Sequence, residues 1–300
     1  MRMIFILVLV SLVAAALFIL PLRARPPIRD GGRIPVAASF YVLGEFARAV
    51  GGERVEVTTL IPAGGEPHEW EPSPRAVAEV RRAALFIYHG MGLDPWAERL
   101  AATLPRSKVL NATDGLPLPR KADGQLDPHV WLDPLLAQEM VQKIAAALNR
   151  IDPLGREQYE ANKESYARQL RNLDSAYRNS LRSCRIRAVL TTHAFLDYLA
   201  RRYGFQAIAI GGFSPEGEPS PARMKELVGL ARKMRVRAVL TETLVSLRAA
   251  EVLAREVGAK VLRFNPLEGL TLEEEARGES YLTIMKKNLA VLREALGCEP

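Results

Sequence analysis

The stretch Arg156–Ser183, REQYEANKESYARQLRNLDSAYRNSLRS, contains neither proline nor glycine. Within it Tyr159, Tyr166, Leu170, Leu173, Tyr177 and Leu181 recur at steps of seven, four, three, four and four, the single apolar stripe of a helix. At 1.5 Å per residue such a helix runs about 40 Å, longer than one α/β lobe needs, so the pattern predicts a connecting helix. A coiled coil fits less well, because the stripe is short and rich in tyrosine.

On both sides of this helix short apolar runs alternate with amphipathic ones. Upstream, strands are expected at Ile34–Ser39, Val55–Ile61, Ala84–Tyr88 and Lys108–Leu110, and helices at Tyr41–Val50, Pro74–Arg82, Pro95–Thr103 and Pro134–Arg150. Downstream the strands are Ala188–Thr192, Phe205–Ile210, Ala238–Thr241 and Lys260–Phe264. They alternate with helices at Ala194–Tyr203, Pro221–Met234, Ser246–Val257 and Ser280–Leu296. Alternation of this kind implies βαβ units and parallel sheets. The expected fold is therefore α/β, with two Rossmann-like lobes, 34–152 and 184–300, joined by one long rigid helix within 153–183. A chain of 300 residues with 48% hydrophobic and 25% charged residues suits two modest cores.

Three of the four histidines fall in comparable places: His68 in Gly65-Glu66-Pro67-His68-Glu69-Trp70, His129 in Asp127-Pro128-His129-Val130-Trp131, and His193 in Leu190-Thr191-Thr192-His193. These are junctions near strand ends, and open α/β sheets bind ligands beyond the carboxyl ends of their strands. Three imidazoles brought together form a nitrogen site suited to zinc and its neighbours, whereas a histidine taken singly is more often core filling or surface. His89, in Ile87-Tyr88-His89-Gly90, ends a strand with no ligand context.

The stretches Pro62–Pro74, Asp127–Pro134, Thr191–Tyr198 and Gly212–Pro221 resemble, in the same order, the metal-binding signatures of the zinc and manganese solute-binding proteins of ABC importers. The resemblance runs from about Ile34 to the C-terminus. It implies a metal site between the lobes, with His68, His129 and His193 as ligands, and delivery of the ion to a membrane permease. In that family an aspartate after the last strand of the second lobe commonly completes the site, and here Asn265 of Arg263-Phe264-Asn265-Pro266-Leu267-Glu268 stands in its place. Three neutral imidazoles leave the double charge of the ion uncompensated, so an oxygen ligand is expected. Water or Asn265 is the favoured fourth ligand, with Glu69 and Glu242 as charge around the ligands. A carboxylate from Glu66, Glu69, Glu242 or Glu268 is the other course. Asp133 is expected to cap the helix that begins at Pro134, and Asp197 is either a surface carboxylate or a support for His193. A histidine at the third position favours zinc, with manganese as the alternative, although Leu116–Leu126 lacks the histidines that zinc members often carry there.

The N-terminus points to export. Met1-Arg2-Met3 precedes the apolar run Ile4–Leu20, and Arg23-Ala24-Arg25-Pro26-Pro27 follows it. Residues 1–22 read as a signal peptide or signal anchor and 23–33 as a tether. The protein is thus expected in the periplasm or on the outer face of the cytoplasmic membrane, as a monomer held near the membrane by this segment. The formal charge of +7 does not imply nucleic acid, because the arginines are scattered through amphipathic helices and not gathered with aromatics into a stripe. Cys184 and Cys298 are the two cysteines, either bridged or separate thiols.

Two further classes compete with a metal receptor. A periplasmic zinc-dependent hydrolase would need an open water position at the metal, but the chain has no His-Glu-x-x-His, Gly-x-Ser-x-Gly or paired nucleophile and base. An adhesin-like surface protein on the same fold is the third class. The expectation is a binding protein and not an enzyme.

Overall fold

The computed structural model describes residues 32–118, 126–212, 220–242 and 248–299. The proposed signal segment 1–22, nearly all of the tether, most of the Gly212–Pro221 motif and part of the 116–126 segment lie outside them. Among the described residues no helix is long and apolar enough to cross a membrane.

Two four-stranded parallel sheets form the frame. The first contains β1 (Ile34–Ala38), β2 (Val55–Thr59), β3 (Leu85–Tyr88) and β4 (Val109–Asn111), in the order β2-β1-β3-β4. The second contains β5 (Ala188–Thr191), β6 (Gln206–Ala209), β7 (Ala238–Thr241) and β8 (Lys260–Arg263), in the order β6-β5-β7-β8. The same topology thus occurs twice. All six strand pairs are parallel, as strands separated by helices must be. Each order reverses between its first and third strands, which opens a crevice at the carboxyl edge.

Helices α1 (Tyr41–Gly51), α2 (Pro74–Arg82), α3 (Pro95–Ala101) and α4 (Pro134–Ile151) serve the first sheet. The prolines of α2, α3 and α4 lie at the first helical position, where the absent N–H is no loss. Asp133 caps α4 by accepting from Leu135 N–H at 2.9 Å.

Helix α5 (Arg156–Leu181) spans 26 residues, about 39 Å. Every member of its stripe from Tyr159 to Leu181 is buried. It stops two residues before the expected Ser183 because Arg187 donates to the carbonyls of Leu181 and Arg182, and Cys184 is bonded to Cys298. Those donors take the place of a further helical turn.

The second lobe adds α6 (Asp197–Tyr203), α7 (Pro221–Lys233), α8 (Arg248–Val257), α9 (Leu272–Ala276) and α10 (Tyr281–Leu296). Helix α6 begins three residues later than its sequence suggests, because Ala194 N–H goes to Gly212 O and Phe195 N–H to His193 O. The short α9, started by a capping box between Thr271 and Glu274, was not expected.

One hydrophobic core runs without a break from the first sheet through α5 into the second lobe, and a smaller one lies under α7 and α8. Polar ties cross the same seam. Trp131 Nε1 donates to Pro266 O at 2.7 Å, Tyr281 OH to Trp131 O at 2.7 Å, and Tyr198 OH to Asp127 O at 2.9 Å. Glu45 on α1 accepts from the Tyr281 N–H that opens α10, at 2.7 Å, from Tyr166 OH on α5 at 3.2 Å, and from Tyr41 OH. Burial pushes this carboxyl up from its ordinary range, and those donors counter the rise.

Glu45→Ala strips these donors of their acceptor where α1, α5 and α10 meet. The expected loss is about 2–3 kcal/mol in urea unfolding.

Candidate metal centre

Each candidate histidine is presented by a loop whose backbone has few alternatives. His68 lies in the long loop after β2, its N–H bonded to Glu66 Oε1 at 3.1 Å. That loop is held to the segment after β8 by Gly64 N–H donating to Leu270 O at 2.7 Å, with Gly64 at φ +80°. His129 sits between Asp127 and Val130 in a turn closed by Val130 N–H to Pro128 O at 2.7 Å. His193 follows β5 and Glu242 follows β7, on the two sides of the second sheet's crevice.

The three rings converge, and the fourth group among them is Glu268. Single ligand atoms of His68, His129, His193 and Glu268 all lie within 4.8 Å of one another. His129 Nε2 is 2.8 Å from Glu268 Oε1 and 3.2 Å from His193 Nε2, while Glu268 Oε1 is 3.4 Å from His193 Nε2 and 3.6 Å from His68 Nε2. A tetrahedral ion with bonds near 2.05 Å spans edges of about 3.3 Å, so these separations already approximate its coordination polyhedron. The set draws two candidate ligands from each lobe.

Asn265, the expected fourth ligand, is turned to other work. Its Oδ1 accepts Leu267 N–H at 2.7 Å, its Nδ2 donates to Glu274 at 2.9 Å, and its backbone pairs with the side chain of Asn288. Both ends of the amide are thus engaged within its own turn and with Glu274. The Asn265 turn brings Leu267 to φ +65°, a left-handed conformation that costs a branched residue about 1 kcal/mol. Beyond that twist Glu268 enters the cluster. The signal was present in Asn-Pro, a turn initiator whose asparagine bonds its own backbone, followed by a carboxylate three residues on.

Carboxylates also fix which ring nitrogen faces the centre. Asp127 Oδ1 lies 2.7 Å from His129 Nδ1, and Glu242 Oε1 lies 2.5 Å from His193 Nδ1, leaving each Nε2 toward the cluster. Asp127 was not singled out in the sequence. Glu242 touches His193, whereas Glu69 is exposed and outside the cluster. Glu242 holds His193 Nδ1, the position that a supporting carboxylate would take.

Burial shapes the charges. It disfavours an imidazolium at His129, but Asp127 and Glu268 outweigh it and push the ring up to about 10. Burial likewise disfavours the Glu268 anion, yet hydrogen bonds from His129, His193 and His68 hold it well below the usual carboxylate range. Glu66, desolvated and facing Glu268, is pushed up to about 7. His68 retains 10% side-chain exposure while His129 and His193 have none, so the centre meets solvent on the His68 side.

Residues 36–295 match the family model described as zinc-uptake complex component A, periplasmic. The chain is 34% identical over 282 residues to the high-affinity zinc uptake system protein ZnuA of Bacillus subtilis (strain 168), covering 89% of this chain and 88% of that one. It is 37% identical over 279 residues to the zinc-binding lipoprotein AdcA of Streptococcus pneumoniae, covering 88% of this chain and 56% of AdcA, so it spans little more than half of that relative. The Zn(II)-bound ZnuA-like domain of Streptococcus pneumoniae AdcA superposes with a TM-score of 0.78 at 37% identity, over 88% of this chain and 99% of that domain.

Substitutions separate Glu268 from Asn265. Glu268→Ala and His193→Ala should each lower metal affinity by more than about 100-fold in chelator competition, and Asn265→Ala, acting only through the turn, by about tenfold.

Proposed function

The chain belongs to the zinc-uptake complex component A family, and we propose that it is an exported zinc receptor that binds the ion through His68, His129, His193 and Glu268 and hands it to an ABC permease. The observation that carries this reading is the tetrahedron of three imidazole nitrogens and one buried carboxylate drawn from both lobes. Zinc accepts four ligands of this kind, whereas manganese prefers more oxygen ligands in octahedral array. The ion and Glu268 leave one positive charge, which Asp127 and Glu242 on the far sides of two rings offset.

A hydrolase would keep one coordination position for water. Glu268 fills that position, which supports capture over turnover and counts against the hydrolase reading. Release begins at His68, the one ligand whose side chain reaches solvent, on a loop rather than on a strand. The cationic, apolar N-terminal segment supports a location in the periplasm or at the membrane surface, near the permease. Titration of metal-free protein with zinc and manganese in competition tests the cargo, and zinc uptake with the permease in membrane vesicles tests delivery. Preference for manganese, or uptake that does not need this chain, would overturn the reading.

Binding must displace protons. His129 holds one at neutral pH in the metal-free state, and acidification adds protons to the other rings, so affinity falls as pH falls. Between pH 7 and pH 5 the expected loss is at least about tenfold per pH unit, with about one or more protons released per zinc at pH 7. Calorimetry in buffers of different ionisation enthalpy checks both figures.

A further inference from the structure

We propose that His89, the histidine outside the metal cluster, is a positioning residue for zinc capture, because its ring pins the carbonyl that closes the turn carrying His129. The proposal rests on the reading of His129 as a ligand.

His129 has φ −78° and ψ 41°, close to the inverse γ-turn, and one backbone hydrogen bond of 2.7 Å, from Val130 N–H to Pro128 O, closes that turn. A carbonyl oxygen has a second lone pair. His89 Nε2 lies 2.6 Å from the same Pro128 oxygen. The carbonyl can only accept, so the ring must donate, which assigns its proton to Nε2 and leaves Nδ1 bare. Nδ1 is buried and has no hydrogen-bond partner among the described residues. Burial pushes the ring down to about 3, and it stays neutral wherever the protein works.

His89 is itself firmly held. It directly follows β3, a strand flanked on both sides by others. Asp94 accepts its N–H at 2.9 Å, and its carbonyl accepts from Thr113 Oγ1 at 2.7 Å. The ring stands edge-on to Trp131 and Phe40, with centroids 5.0 and 5.7 Å away. The turn of a ligand-bearing loop is thereby referred to the middle of a sheet. A metal site tolerates displacements of only about 0.5 Å, and the His89 donor on Pro128 O adds to the hold that Asp127 Oδ1 has on the His129 N–H at 2.9 Å. A histidine that merely filled the core would be replaceable by leucine without effect at the metal.

The test compares wild type, His89→Leu and His89→Gln by zinc affinity and by the visible absorption of the Co²⁺-substituted protein. The glutamine amide nitrogen reaches the place of Nε2 and restores the donor. Expected is a loss of about 10–100-fold in zinc affinity with altered Co²⁺ bands for His89→Leu, and affinity within about threefold of wild type with unchanged bands for His89→Gln. Melting temperature falls in both and does not distinguish them. Wild-type affinity in His89→Leu, or equal losses in the two variants, overturns the proposal. If His89→Leu does not fold, long-range ¹H–¹⁵N spectra of the wild-type imidazoles decide. A neutral Nε2–H ring whose resonances move on zinc binding supports it, and an Nδ1–H or charged ring overturns it. A wild-type protein that binds no zinc overturns the ligand reading and the proposal together, and is seen before any substitution is made.

Discussion

Glu268 lies among three imidazoles with almost no access to water, and the arrangement of the molecule follows from what that burial requires. A carboxylate withdrawn from solvent needs cations or donors around it, and His129 of the first lobe and His193 of the second supply them directly. Glu268 is held well below the usual carboxylate range by His129, His193 and His68, and Asp127 and Glu268 push the His129 ring up to about 10, so the two lobes attract one another across this cluster. The hydrogen bonds of Trp131, Tyr198 and Tyr281 across the seam then keep the two loop systems in register.

The spacer and the site answer one another. Helix α5 carries no internal hinge, and its buried face belongs to the same core that underlies both sheets. A stiff frame holds the four candidate ligand atoms within 4.8 Å of one another, so little ordering entropy would be lost on binding an ion.

Much of the frame was legible because it depends on periodicity and on proline. The tyrosine and leucine stripe of α5 and the N1 prolines of α2, α3 and α4 are local signals, and the structure meets them within two residues. Strand alternation likewise announced parallel sheets, though not their common order, which is a property of tertiary packing. That His68, His129 and His193 belong together was implied by the resemblance, although only His193 follows closely behind a strand, just beyond β5. Glu268 was not preferred, because its entry depends on a turn at Asn265 and a left-handed Leu267, and neither is a periodic feature. Asp127 escaped notice for a related reason: its role is to orient a ring, which composition and spacing do not encode.

The bond between Cys184 and Cys298 turns the second lobe into a covalent ring, since the two residues are separated by 114 positions and enclose every strand of its sheet. Closing that ring removes disordered conformations equivalent to about 4–5 kcal/mol in the chain-entropy model. The first lobe has no corresponding link. What it has instead is the core it shares, through α5, with the second lobe.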